Sequence, residues 1–129
     1  MLRIKSNLGY RTTPQLGAMV ETPAAALCGR EIAAVSDFLS VGTNDLTQYT
    51  MAAGRENELV SHYFLDNHPA VIKLLRRLIE EAGQTPVGVC GELAGRMEAV
   101  PMLAGLGFRM LSVAPALIPV VKETVRETR

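Results

Sequence analysis

The feature that most constrains this chain is a repeated exchange between two periodicities. Four short β-rich runs, residues 15–21, 37–43, 86–91 and 108–114, alternate with helically patterned stretches. The helical stretches are 23–35, then 45–53 together with 69–81, then 97–105, and finally 116–127. Strand followed by helix, four times over, predicts a parallel sheet. The 129 residues fit one domain, and no low-complexity tract or compositional shift marks a linker.

The strands carry a second message. A parallel strand buried on both faces reads as a continuous apolar run, and these do not. Leu16, Ala18 and Val20 alternate with Gly17, Met19 and Glu21; Leu39 and Val41 alternate with Ser40 and Gly42. Val87 and Val89 likewise oppose Gly88 and Cys90, and Leu111 and Val113 oppose Met110 and Ser112. Side chains along a strand point to opposite faces, so one face of the sheet is bulky and the other is small or polar. With the bulky face under the helices, the other lines an interior with room for a ligand. Glu21 and Cys90 belong to that lining at the C-terminal strand ends, the rim where α/β barrels and open α/β sheets place their chemistry.

The helices are conventional. Asn67-His68-Pro69 opens one with Pro at about its first position, and Val71, Leu74, Leu75, Leu78 and Ile79 follow at helical spacing before Gly83 stops it. Leu117, Val120, Val121 and Val125 form one stripe of the last helix. Cys28, mid-helix among alanines, reads as core.

Composition excludes several classes. Thirteen basic and thirteen acidic residues give a formal net charge of zero. No Lys/Arg cluster offers a nucleic-acid footprint, and the Arg76–Arg77 pair reads as a solvated helix face. Cys28 and Cys90 form no C-x-x-C pair, which argues against a disulfide framework or zinc site and fits a reducing cytoplasm. The N-terminal Met1-Leu2-Arg3-Ile4-Lys5 has no long apolar core or cleavage site, and no apolar run nears the ~18 residues of a membrane span. A soluble, cytoplasmic protein is expected.

Five residues carry candidate chemistry. Glu21 and Asp45 follow neighbouring strands, and two hard oxygen donors at one rim suit Mg²⁺ or Mn²⁺. The same acids also fit helix caps or first-turn partners of the helix dipole. Asn44, in Gly42-Thr43-Asn44, sits where exposed N–H groups at a helix start bind phosphate, although Gly and Asn also serve ordinary turns. Arg55 suits a bidentate clamp on phosphate or carboxylate, and equally a surface position. Cys90 offers a thiol able to exchange a proton with a substrate carbon, and equally a structural cysteine. His68 reads as a helix starter, and neither it nor His62 reads as catalytic.

The strings Gly17-Ala18-Met19-Val20-Glu21-Thr22-Pro23, Asp37-Phe38-Leu39-Ser40-Val41-Gly42-Thr43-Asn44-Asp45-Leu46-Thr47-Gln48-Tyr49-Thr50, His68-Pro69-Ala70-Val71 and Val89-Cys90-Gly91-Glu92-Leu93-Ala94-Gly95 resemble the C-terminal barrel of the enzyme I family. These are the phosphoenolpyruvate-protein phosphotransferases of the bacterial sugar phosphotransferase system. Pyruvate phosphate dikinase and phosphoenolpyruvate synthase share the architecture. The resemblance covers nearly all of residues 15–125. It implies an α/β fold, the C-terminal half of a TIM-type (β/α)8 barrel with four parallel βα units, and residues 1–129 as a single partial domain.

The resemblance further implies Glu21 and Asp45 as Mg²⁺ ligands, Asn44 and Arg55 as phosphate-holding groups, and Cys90 as the acid that protonates the enolate of pyruvate. The reaction implied is phosphoryl transfer from phosphoenolpyruvate to a protein histidine, with a histidine phosphocarrier protein as partner. Two departures stand out: Gly54 and Arg96 occupy positions where the family usually or often has Asp. The family's Thr-Ser-His phosphorylation signature and the barrel's first half are absent from the sequence. Pairing as a homodimer or with a complementary half-barrel is therefore expected. A non-catalytic phosphoenolpyruvate-binding or interaction module, and another pyruvate or phosphoenolpyruvate barrel enzyme (dikinase, synthase or metal-dependent lyase), are the alternatives.

Overall fold

In a computed structural model, residues 14–128 are described; the Met1–Lys5 segment considered above lies outside them. The chain runs β1 (Gly17–Val20), α1 (Pro23–Leu27), α2 (Gly29–Ala33), β2 (Phe38–Gly42), α3 (Thr43–Met51), α4 (Pro69–Ala82), β3 (Val87–Cys90), α5 (Val100–Leu106), β4 (Met110–Leu111) and α6 (Ile118–Glu127), with short 3₁₀ turns at Ser61–Tyr63, Glu92–Gly95 and Pro115–Leu117. The strands form one sheet in the order β1-β2-β3-β4, every pair parallel. This is the four-unit arc of half a β/α barrel, and among the described residues β1 and β4 are its edge strands.

Register explains the two faces. Val20 pairs with Val41, Val41 with Val89, and Val89 with Leu111, a row that lies under the helices. One residue earlier, Met19, Ser40, Gly88 and Met110 form the row on the open face. The alternation read from sequence is therefore a real division between core and lining. Val20, Leu39, Val41 and Val89 are essentially sealed, while Met19 and Met110 are about half exposed.

The helices close the bulky face for local reasons. Thr22 caps α1 by accepting the Ala25 N–H at 3.1 Å, and Pro23 follows it. His68 caps α4 through Nδ1, which accepts the Ala70 N–H at 3.2 Å. Helix α4 buries Val71, Leu75, Leu78 and Ala82, a stripe at the spacing of one helical face. Each fully buried Leu or Val contributes about 1.5–3 kcal/mol over its exposed state, which makes this stripe the main fastening of the helical layer.

Several elements differ from the sequence expectation. The single helix expected over 23–35 breaks into α1 and α2 at Cys28, and Cys28 is exposed rather than core. Burial falls instead on Ala26, Gly29 and Ala33, and a residue two places from Ala26 lies on the far side of the turn. Helix α3 begins at Thr43, two residues before the expected 45, so Asp45 stands in its first turn. The last strand shortens to Met110–Leu111. On α6 only Val121 is buried, and Leu117, Ile118, Val120 and Val125 remain uncovered. Among the described residues no helix is long and apolar enough to cross a membrane.

Candidate functional site at the strand C-termini

The rim is organised by one turn docked on one helix start. Thr43, fully buried, donates its hydroxyl to the Cys90 carbonyl at 2.9 Å. Its neighbour Asn44 accepts the Glu92 N–H on Oδ1 at 3.1 Å. Between them Gly91 holds φ +100° and ψ −179°, a region open essentially to glycine alone. A Cβ there would stand 2.4 Å from Thr43 Oγ1 and 3.0 Å from Asn44 Oδ1. Glycine thus lets the Cys90–Gly91–Glu92 backbone lie directly on the N-terminus of α3.

This docking orients Asn44. With Oδ1 accepting a backbone N–H, the carboxamide NH₂ is the end left for a ligand, beside the unpaired N–H groups of a helix start. Both suit an anion.

Cys90 points to the open face, as its register requires. Its thiol donates to the Val41 carbonyl at 3.2 Å, accepts from the Ser40 hydroxyl at 3.6 Å, and lies 4.0 Å from Met19 Sδ. It is half-buried, neither sealed underneath nor fully in solvent. Asn44, Cys90, Gly91 and Glu92 border a cavity of about 470 Å³ at this rim, with Arg96 on its wall. A second hollow of about 430 Å³ lies further down the open face, beside Phe38, Gly88 and Met110, and touches neither Cys90 nor Asn44.

The two carboxylates reach the same rim from β1 and β2. Glu21 follows Val20, which pairs with Val41, and its side chain folds over Gly42. A Cβ on Gly42 would stand 3.1 Å from Glu21 Oε2. Gly42 leads directly into α3, whose first turn carries the exposed Asp45. The capping alternative fails for Glu21, because Thr22 and Gly42 are the residues at the N-caps of α1 and α3. For Asp45 the first-turn position itself favours the helix dipole, so that role coexists with any other. Among the described residues no group of three or more His, Cys, Asp or Glu side chains forms a metal cage. Glu21 and Asp45 are the acidic side chains that follow β1 and β2 at this rim.

Arg55 is the residue the fold treats differently. It lies in the connection after α3, and its guanidinium pairs with Glu92 at 3.3 Å, both side chains exposed. The contact nevertheless keeps Arg55 beside the turn that holds Cys90. Thr43, Gly91, Ser40, Glu92 and the Asp66–Arg96 ion pair (3.0 Å) were given no role from sequence. Ser40 had a signal in its place on the small face and Arg96 in its departure from the resembled family; the contacts themselves join segments far apart in the chain.

Comparison with known proteins agrees with this architecture. Residues 2–129 match the family model described as the PEP-utilising enzyme, PEP-binding domain. The chain is 45% identical over 118 residues to the phosphoenolpyruvate-protein phosphotransferase of Cupriavidus necator, covering 90% of this chain and 20% of that protein. The corresponding protein of Haemophilus influenzae is 43% identical over 114 residues, covering 87% of this chain and 20% of its own length. That of Buchnera aphidicola from Acyrthosiphon pisum is 39% identical over 125 residues, covering 95% and 22%. The chain thus spans about a fifth of the length of the curated relatives it matches.

Proposed function

The chain belongs to the PEP-utilising enzymes, through their PEP-binding domain, and on that premise we propose that it binds phosphoenolpyruvate and supplies the proton donor for phosphoryl transfer to a protein histidine. It acts as one partial domain, residues 1–129, of a cytoplasmic phosphotransferase of sugar transport, with a histidine phosphocarrier protein as the downstream partner. The observation that carries this reading is the docking of the Cys90 turn onto Thr43 and Asn44, which puts an anion-binding helix start and a half-buried thiol in one rigid unit.

Each residue has a role. The Asn44 NH₂ and the Arg55 guanidinium hold the phosphate, Arg55 exchanging its Glu92 partner for it. Glu21 and Asp45 hold Mg²⁺, which when bound offsets charge on the transferring phosphoryl group. The phosphoryl group leaves the enol oxygen for the histidine nitrogen in line, so that the P–O bond breaks as the P–N bond forms. The enolate of pyruvate that remains takes the Cys90 proton at its methylene carbon, giving pyruvate and a thiolate. The Ser40 hydroxyl donates a hydrogen bond to Cys90 Sγ at 3.6 Å, so the sulfur keeps a polar partner through the step. The open edges at β1 and β4 and the uncovered stripe of α6 support pairing with a second copy or with a complementary half-barrel.

Calorimetric titration of phosphoenolpyruvate with Mg²⁺ tests the reading, with folding checked by circular dichroism. Binding is expected for the unmodified chain and for Cys90→Ala, and its loss for Glu21→Ala and Asp45→Ala. Exchange of deuterium into the methyl group of pyruvate is expected to vanish in Cys90→Ala while phosphoenolpyruvate binding persists. Binding without exchange in the unmodified chain identifies a non-catalytic binding module instead, and no binding at all removes the proposal.

A further inference from the structure

The connection 52–68, between α3 and α4, carries only the 3₁₀ turn Ser61–Tyr63 and exceeds the ~12–15 residues beyond which links in compact domains become uncommon. Its backbone bonds are local: Asn57 N–H to Gly54 O at 3.2 Å, Val60 N–H to Asn57 O at 3.0 Å, and Ser61 N–H to Asn57 O at 2.8 Å. Its middle is only lightly anchored: Leu59, Tyr63 and Leu65 are exposed, and Val60 and Phe64 are no more than partly buried. Burial occurs only at its ends, at Ala53 and Asp66. Two ion pairs tie it across to the segment after β3: Arg55 to Glu92, and Asp66 to Arg96.

The two ties differ in kind. Arg55 and Glu92 are both solvent-exposed, so their pairing is weak and readily exchanged. Asp66 is a nearly buried carboxylate with a side chain 7% exposed, and a buried charge that loses its partner is strongly unfavourable. Asp66 also lies two residues before His68, the cap of α4, so this tie fixes the connection where it enters a rigid helix. Arg96 meanwhile stands on the wall of the rim cavity.

We propose that Asp66 and Arg96 are positioning residues for Arg55. Their ion pair holds connection 52–68 against the Cys90 turn, so that Arg55 can release Glu92 for a phosphate without the connection leaving the rim. The inference rests on the phosphoenolpyruvate reading, yet the tie is measurable without ligand. It also gives a role to Arg96, at a position where the resembled family often has Asp.

The test uses Arg96→Ala, Arg96→Lys and Asp66→Asn in the full chain, read by amide hydrogen exchange without ligand and by calorimetry with phosphoenolpyruvate and, separately, pyruvate, each with Mg²⁺. Loss of a charge-assisted bond is expected to speed exchange of amides 54–65 roughly tenfold or more in Arg96→Ala. The same variant is expected to weaken phosphoenolpyruvate by a similar factor and leave pyruvate binding unchanged, because only the former carries the phosphate. Arg96→Lys is expected to restore both, and Asp66→Asn, which keeps its shape, to follow Arg96→Ala if that variant folds poorly. Unchanged exchange in both charge-removing variants, or equal weakening of the two ligands, overturns the proposal. Failure of the unmodified chain to bind phosphoenolpyruvate is a distinct result: it removes the functional reading, while the exchange arm still decides whether the tie exists.

Discussion

Replacing Gly91 with Ala tests the central junction of the site. The backbone at φ +100° and ψ −179° is strained for an L-residue by about 1–3 kcal/mol. The added methyl would also stand 2.4 Å from Thr43 Oγ1, a separation no real contact tolerates. Thr43 is fully buried and begins a helix, so the turn must lift away and the hydroxyl's bond to the Cys90 carbonyl is lost. That bond contributes about 0.5–1.5 kcal/mol, and a buried group left unsatisfied costs roughly 1–3 kcal/mol. Together the change should destabilise the fold by about 2–5 kcal/mol, against the 5–15 kcal/mol typical of a domain. With a slope of about 2 kcal/mol per molar in urea, the midpoint should fall by about 1–2.5 M. Gly54→Ala is the control, since nothing lies within 4 Å of its Cβ position, and its stability should hold within about 0.5 kcal/mol. Pyruvate deuterium exchange in urea-free buffer should fall in Gly91→Ala and persist in Gly54→Ala. Equal midpoints for Gly91→Ala and the unmodified chain would refute the docked-turn account, because neither the strain nor the overlap could then exist.

Two further outcomes separate binding from folding. Asn44→Asp keeps an oxygen to accept the Glu92 N–H but replaces the NH₂ donors with negative charge, so calorimetry should show phosphoenolpyruvate affinity falling by roughly tenfold or more at nearly unchanged melting temperature. Leu75→Ala removes a fully buried side chain from the α4 stripe, and chemical denaturation should report a loss of about 2–5 kcal/mol, with rim ligands affected only through unfolding.

The sheet was legible because its alternation is written one residue at a time. Val20, Val41 and Val89 announce a covered face, and Ser40, Gly42 and Cys90 an open one, without reference to any distant residue. The helix over 23–35 was misread because alanines satisfy helical propensity throughout, and propensity does not say where a helix must bend to lie on its neighbour. Cys28 ended outside for that reason. The rim was legible only in part: Glu21, Asn44, Asp45 and Cys90 announce themselves by type and by position at strand ends. Thr43 did not, because a threonine at a strand–helix junction looks like an ordinary turn residue until Cys90 arrives from 47 positions away to accept its hydrogen bond. The pairing of Asp66 with Arg96, 30 positions apart, was equally silent: Arg96 stood out only as a departure from the resembled family, and an ion pair has no signature in either partner alone.

Parallel order accounts for why so much function gathers in so few residues. In a parallel sheet every strand ends on the same side, so the residues after β1, β2 and β3 become neighbours whatever their separation in sequence. The second strand pairs with both others, and its Gly42 lies beside Glu21 on one flank and opposite Cys90 on the other. The helix that follows Gly42 therefore starts between the carboxylate of β1 and the thiol of β3. Its first side chain fixes the Cys90 carbonyl, and its second fixes the Glu92 amide. A side chain at position 42 would crowd Glu21, and one at position 91 would push the Cys90 turn off the helix. The two glycines are thus the condition on which three separate strand ends meet at one rim.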